Sequence, residues 1–251
     1  MTFRKIAFSA ALALPFALGA QQAGAVAITG TGTSTFTFPA GNNGCDHTGS
    51  SVNCAITTSS GNPQVQWGST NSSNLTNPST LTAPGPLAIS GSTNSTLTIG
   101  QLTWFNSSTL ADQTPDLFSV IWNLAIAFTA PAGSTGDTQA FDLSIDNTTN
   151  PLGDNITNLT LADLAGISLS LPGVTVSNLQ YHVTDVSGTG TTSLTCSSGS
   201  CNWENDEGNT GRLTITGDFT ATAVPEPASL TLLGGALAGL GLLRRRRRNA
   251  A

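Results

Sequence analysis

The stretch Phe118-Ser-Val-Ile-Trp-Asn-Leu-Ala-Ile-Ala-Phe128 decides the fold, because Phe118, Val120, Trp122, Leu124, Ile126 and Phe128 fall on every second position. Ser119, Asn123, Ala125 and Ala127 supply most of the smaller or polar residues between them. A period of two is that of a β-strand, whose alternate side chains point to opposite faces, so one face of this segment is predicted to lie in a core. The same period recurs at Phe141-Leu143-Ile145, Ile167-Leu169-Leu171, Leu179-Tyr181-Val183 and from Leu213-Ile215 to Phe219. Shorter examples are Phe36-Phe38, Val65-Trp67 and Leu97-Ile99.

Turn-forming residues separate these runs: Pro131-Ala-Gly133, Asn150-Pro-Leu-Gly153, Pro172-Gly173, Ser187-Gly188 and Glu207-Gly208. Between the two ends of the chain no stretch sustains helical spacing, and Leu159 to Ala165 predicts one short helical turn. About ten strands parted by such turns predict an all-β fold, an antiparallel β-sandwich of jelly-roll type. A β-solenoid is the alternative architecture, but it needs a fixed-length internal repeat, and none is visible.

The two ends differ from everything between them. Arg4 and Lys5 precede an apolar run from Ile6 to Gly19, and Ala23-Gly24-Ala25 follows with the small-x-small pattern that signal peptidase accepts. Residues 1–25 therefore read as a secretory signal peptide, with Ala25-Val26-Ala27 as a competing cleavage pattern. At the other end Val224-Pro225-Glu226-Pro227 leads into an uncharged apolar run from Ala228 to Leu243, followed by Arg244, Arg245, Arg246, Arg247 and Arg248. As a helix, the span 228–243 would be about 24 Å long, a thin but usable transmembrane segment if its flanks snorkel. The arginines would hold its end on the cytoplasmic side.

This leaves 26–223 as one extracytoplasmic β-domain and 224–251 as a tail. Of eight Lys and Arg, only Arg212 lies in 26–223, against thirteen acids, a net charge of −12. Nucleic acid is excluded as a partner because almost no cation is available to displace phosphate counterions. Abundant Ser, Thr, Asn and Gly instead suit an extracellular surface solvated through hydroxyls and amides.

The tail resembles the PEP-CTERM sorting signal of exopolysaccharide-producing Gram-negative bacteria, on Val224 to Pro227, the apolar span and the terminal arginines. The resemblance implies recognition by exosortase, a membrane protease-transpeptidase, and cleavage near Pro225-Glu226-Pro227. The chain would be anchored transiently in the inner membrane, then released to the cell surface or extracellular matrix. A plain anchor that is never processed is the simpler reading of the same span. A second resemblance, to a PEP-CTERM subgroup with an early Trp-Gly and a Thr-His-x-Asn motif, rests on Trp67-Gly68 and Thr103-Trp104-Phe105-Asn106. Here Trp104 stands where that motif has histidine, and the alternative is that Trp67 and Trp104 are ordinary strand aromatics.

Four cysteines fall as two local pairs, Cys45 with Cys54 and Cys196 with Cys201. In an exported chain they predict two disulfides, each closing a small loop. A zinc site fits less well, since ligand spacing is not present in both pairs and His47 has no partner histidine nearby.

Catalytic equipment is sparse. His47 and His182 are the only histidines, and neither a Gly-x-Ser-x-Gly elbow nor a His-Glu-x-x-His motif occurs. Asp112 with Asp116, Asp142 with Asp146, and Glu204 with Asp206 and Glu207 could serve glycoside hydrolysis only if two carboxyls converge across a cleft. No cofactor is called for and no metal site is assigned. Structural calcium is the one exception considered: Asp146-Asn147-Thr148-Thr149-Asn150 with Gly153-Asp154, and Asn202 to Asp206-Glu207-Gly208, are turns rich in oxygen ligands, though neither has EF-hand spacing. The expected function is that of a non-enzymatic structural or adhesive surface component associated with exopolysaccharide or biofilm, with exposed Trp, Tyr and amides contacting sugars. The alternative is a secreted glycan-active hydrolase using paired carboxylates.

Overall fold

The computed structural model describes residues 24–40, 52–69, 78–107, 116–148, 153–222, 234–235 and 237–239. Gly24–Thr222 form one compact unit, apart from Met1–Ala23 and Ala223–Ala251. In the order of the chain its elements are β1 (Ala27–Thr37), β2 (Val52–Ser59), β3 (Asn62–Ser69), β4 (Ser79–Thr82), β5 (Leu87–Ser92), β6 (Ser95–Phe105) and β7 (Asp116–Ala130). They continue with β8 (Asp137–Asn147), β9 (Asp154–Thr160), α1 (Leu161–Gly166), β10 (Val174–Ser187), β11 (Thr192–Ser197), β12 (Ser200–Asn205) and β13 (Thr210–Ala221).

The strands form two antiparallel sheets, a seven-stranded one ordered β11-β12-β9-β8-β7-β1-β5 and a six-stranded one ordered β10-β13-β6-β4-β3-β2. Their inner faces meet in one apolar core. Phe118, Val120, Trp122, Leu124, Ile126 and Phe128 of β7 are all buried, as the period of two predicts, with Phe141, Leu143 and Ile145 of β8 beside them. Phe128 meets Phe219 of the opposite sheet at 6.0 Å between ring centroids, and Trp67 meets Phe118 at 5.7 Å. The sheets approach closely where a side chain is missing: a Cβ on Gly32 of β1 would lie 2.8 Å from the Ile99 carbonyl oxygen of β6.

In β6 the buried residues change phase, from Leu97 and Ile99 to Leu102, Trp104 and Asn106. The cause is a β-bulge: Ile215 of β13 pairs with Gly100 while Thr216 pairs with Thr98, leaving Ile99 as the extra residue. One inserted residue exchanges the faces of everything beyond it, and this carries Trp104 and Asn106 inward.

The expected helical turn is α1, capped by the Thr160 hydroxyl, which accepts from the Asp163 N–H at 3.0 Å. The expected strand at Ile167-Leu169-Leu171 does not form. That segment makes only isolated bridges, Thr135 with Ser170 and Leu171 with Val174. It is caught between the end of α1 and the Pro172-Gly173 turn, where Gly173 has a φ of +74°. Ile167 and Leu171 are buried there by packing rather than by a ladder.

The signal peptide with Ala23, and the tail residues Val224 to Pro227 and Arg244 to Arg248, lie outside the described residues, while Ala25 is exposed just ahead of β1. Of the apolar span 228–243 only Gly234, Gly235 and Leu237 to Gly239 are described, all helical. Among the described residues no helix is long and apolar enough to cross a membrane. Cys196 and Cys201 form the predicted disulfide across the β11–β12 hairpin. Cys54 is also disulfide-bonded, and Cys45 lies outside the described residues.

Candidate functional site

At one end of the sandwich the apolar core gives way to a buried polar row. Register sets it up. Asp146 pairs with Asn155 across β8 and β9, which brings the next residues, Asn147 and Asp154, opposite one another, and Asp154 in turn pairs with Asn205 of β12. Asn147, Asp154 and Asn205 share the core face of three neighbouring strands and are 1 %, 0 % and 0 % exposed. From the other sheet, Ser79, Asn106 and Asn209 are buried against them.

Asparagine amides bind the row together. The Asn205 amide donates to the carbonyl oxygens of Trp104 and Asn209, both at 3.1 Å, and its own oxygen accepts from the Asn209 amide at 3.0 Å. Asn106 donates to the Asn205 carbonyl at 2.7 Å and accepts from the Ser79 hydroxyl at 3.1 Å. Asn209 also donates to Asp185 at 3.0 Å. Beneath this network three indoles pack in series: Trp67 and Trp104 at 6.1 Å, then Trp104 and Trp203 edge to face at 5.1 Å.

Several polar atoms at this end are buried without a hydrogen-bond partner: Asp154 Oδ2, both Glu207 carboxyl oxygens, both Asn147 amide atoms, Asn209 Oδ1 and the Nε1 of Trp67 and Trp104. Burial pushes the Asp154 carboxyl up to about 7. Hydrogen bonds from the Thr148 N–H at 2.8 Å and its hydroxyl oppose that rise, and the Asp146 charge adds to it. The Trp67 indole N–H lies toward Asp154 and favours the ionised form, but stops short of a formed hydrogen bond. Glu207, in the turn between β12 and β13, is pushed up to about 8 by burial and then by the Asp154 charge.

Both turns singled out as oxygen-rich therefore converge here. Gly153 packs so closely on the second turn that a Cβ would lie 3.1 Å from the Asn205 carbonyl oxygen and 3.2 Å from Asp206 Oδ1. No group of three or more His, Cys, Asp or Glu converges among the described residues, so any cation held here would take amide as well as carboxylate oxygens. The other acid pairs do not meet in this way. Asp142 and Asp146 lie on the outward face of β8, Glu204 is exposed, and Asp112 is outside the described residues. His182 is exposed on β10, and His47 is outside the described residues.

The expectation that exposed Trp and Tyr contact sugars is overturned. All four tryptophans are fully buried and Tyr181, the only tyrosine, is 7 % exposed, its hydroxyl donating to the Thr160 carbonyl at 3.0 Å. The rings sit at strand positions whose period points inward, where they fill the core. What the sequence reading missed is the role of Asn106 and Asn209. A signal was present: Trp104-Phe105-Asn106 and Trp203-Glu204-Asn205 repeat one Trp-x-Asn spacing, once in each sheet. The Trp67-Gly68 and Thr103 to Asn106 segments noted for their subgroup resemblance thus meet at this same end.

Comparison with known families matches residues 223–248 to the PEP-CTERM protein-sorting motif. The match covers Val224 to Pro227, the apolar span and the arginines, and it implies processing by exosortase, a membrane protein, and export to the cell envelope or surface. No curated protein and no solved structure matches the chain.

Proposed function

Because the chain is a PEP-CTERM domain-containing protein, we propose that signal peptidase removes its leader near Ala23 to Ala25 and that an exosortase-type transpeptidase cuts the tail near Pro225-Glu226-Pro227. The span 228–243 holds the precursor transiently in the inner membrane of a Gram-negative cell, with Arg244 to Arg248 on the cytoplasmic side. The released sandwich serves as a non-enzymatic structural or adhesive component in contact with exopolysaccharide. The sorting motif at 223–248 is the observation that carries this reading.

The outer face of the seven-stranded sheet supports the polysaccharide contact. Thr29, Thr31, Thr33, Thr35 and Thr37 of β1 are all exposed, and β5 and β7 flank them with Ala88, Ser90, Ala127 and Thr129. This is an uncharged surface whose hydroxyls both donate and accept hydrogen bonds. Each such bond contributes little, about 1 kcal/mol, so affinity would come from many contacts repeated along a polymer. Among the described residues, the pair that the alternative, a hydrolase with paired carboxylates, would draw on is Asp154 and Glu207, whose unpartnered oxygens are covered from solvent.

Fractionation of the native host tests both halves. Glu226→Ala should leave uncut precursor in the membrane while the wild type reaches the surface or medium, and identical fractionation removes the sorting mechanism. The triple variant Thr31→Ala, Thr33→Ala, Thr35→Ala should be processed normally yet wash out of the exopolysaccharide fraction. Equal retention removes the polysaccharide contact, and release of sugar by the purified wild type would favour the hydrolase.

A further inference from the structure

The polar end of the sandwich contains more unpartnered oxygens than the protein can satisfy. Asp154 spends Oδ1 on Thr148, which leaves Oδ2. Asn209 turns its amide nitrogen to Asp185 and Asn205, and its unpartnered Oδ1 lies against Gly188 between β10 and β11, outside this group. Glu207 contributes both carboxyl oxygens, and Asn147, only 1 % exposed and one step beyond the Asp146–Asn155 pair, contributes its amide oxygen. A buried polar atom left unpaired loses its hydration without replacement, and a charged one loses most. A run of them on three neighbouring segments, β8, β9 and the β12–β13 turn, points to a ligand.

The nature of that ligand follows from charge. Two carboxyls are buried together, and the only Lys or Arg between residues 26 and 223 is Arg212. Arg212 lies on β13, paired with Thr103 and Thr184, at a position of opposite facing to the buried Gly211 and Leu213. The folded unit therefore has no side-chain cation to set against Asp154 and Glu207. A bound cation would supply it. The donor set is all oxygen, carboxylate plus amide, which suits a hard ion with a flexible coordination shell rather than zinc or a thiolate-seeking metal. Magnesium, which demands a tight octahedron and keeps its waters, fits a set spread over β8, β9 and the β12–β13 turn less well.

We infer that this end of the sandwich binds a calcium ion, with oxygens from Asp154, Glu207 and Asn147 as protein ligands and the ion tying the ends of β8 and β9 to the β12–β13 turn, which crosses between the two sheets. With two carboxylates the site belongs with extracellular modules, whose affinities lie at about 10⁻⁴ to 10⁻³ M. Such an ion would be taken up on the exported side of the membrane, where the fold forms.

The test uses the full chain purified in detergent, stripped with chelator and titrated with CaCl2. Thermal unfolding is followed in parallel with Tb³⁺ luminescence, which Trp67 and Trp104 would sensitise. The wild-type Tm should climb with the logarithm of calcium concentration once the site begins to fill. Magnesium should produce a much smaller rise, and calcium should displace the Tb³⁺ signal. The double variant Asp154→Asn, Glu207→Gln keeps side-chain shape and removes the buried charge, so it should unfold cooperatively in chelator and lose both responses at least tenfold in effective concentration. Asp142→Asn, on the outer face of β8, should retain both. A wild type whose Tm ignores millimolar calcium overturns the proposal, because protons alone would then neutralise the pair. So does a double variant that responds as the wild type does, or an equal loss in Asp142→Asn, which would mean diffuse binding to an acidic surface.

Discussion

Trp104 and Trp203 meet edge to face across the two sheets, ring centroids 5.1 Å apart and planes at 87°, and each stands two residues before a fully buried asparagine of its own strand line. The aromatic pair closes the apolar core, and Asn106 and Asn205, bonded to one another at 2.7 Å through the Asn205 carbonyl, begin the polar end. Apolar area and polar satisfaction are thus set side by side by one repeated spacing.

Asn205 is the hub of that end. Asn205→Ala would remove a donor from the Trp104 and Asn209 carbonyl oxygens, the latter keeping the Asn106 N–H, and take one acceptor from the Asn209 amide, for a loss of about 2–4 kcal/mol of stability. Asn202→Ala, which removes one amide contact to Asn155 on the other face of β12, should cost under about 1 kcal/mol. Urea denaturation of the two variants compares them, and equal losses would mean that the network does not organise the strand end.

The register of β7 makes a similar comparison. Trp122 is fully buried, stacks on Phe141 at 4.7 Å and donates its indole N–H to the Ser34 hydroxyl at 2.9 Å, so Trp122→Ala should cost about 3–5 kcal/mol. Asn123, on the outer face with one 3.3 Å contact to Thr37, should tolerate Ser with a loss below about 1 kcal/mol. Chemical denaturation decides it, and a larger loss for Asn123→Ser would place the wrong face in the core.

The contrast between these residues explains what could be read in advance. Alternation in β7, β8 and β13 survives because no extra residue falls inside these runs, the β7 bulge lying at Thr129 and the bulges against β13 placing their extra residues in β6 and β10, so period alone assigns the faces of Phe118 to Phe128, Phe141 to Ile145 and Leu213 to Phe219. In β6 the bulge at Ile99 shifts the phase, and a bulge depends on pairing with β13, which is non-local and leaves no mark on local periodicity. That is why Asn106 was legible only as part of a motif. The convergence of the Asn147–Asp154 and Asn205–Glu207 turns likewise depends on β9 lying between β8 and β12, although the oxygen-rich character of each turn was visible separately. Ile167 to Leu171 shows the reverse error: alternation without a ladder partner is not a strand.

The Cys196–Cys201 disulfide joins directly paired residues of the β11–β12 hairpin, five positions apart, around a turn in which Ser198 and Gly199 have φ of 51° and 86°. Both turn residues are left-handed, as a two-residue hairpin loop requires, so the chain is already reversed without the bond. A loop this short limits the entropic gain to about 2 kcal/mol. Cys196→Ala with Cys201→Ala should therefore lower stability by about 2 kcal/mol or less while leaving the fold cooperative. Loss of cooperative unfolding would show that the hairpin depends on its crosslink.

Asp154 and Glu207 make stability depend on pH in an uncommon direction for carboxylates. Their folded pKa values, about 7 and about 8, are raised above the ordinary 3.8 and 4.5, so the native state holds protons that the unfolded chain gives up. Stability is then fully present below about pH 4 and is lost as pH rises through 7 and 8, opposite to a salt-bridged acid. For the fully buried Asp154 the contribution reaches about 4 kcal/mol at most, one pKa unit corresponding to about 1.4 kcal/mol. Asp146, whose charge from the outer face also raises Asp154 and which is itself raised by burial, acts in the same sense, and no lysine or arginine of these strand ends opposes it. Urea midpoints measured in chelator should fall between pH 5 and pH 8.5, each pH taken as about that value. Asp154→Asn should flatten the curve, leaving the Glu207 component at its upper end. A wild-type curve that is flat or rises over this range would mean that the Asp154 carboxyl is solvated, and the buried row at the end of the sandwich would then be open to water.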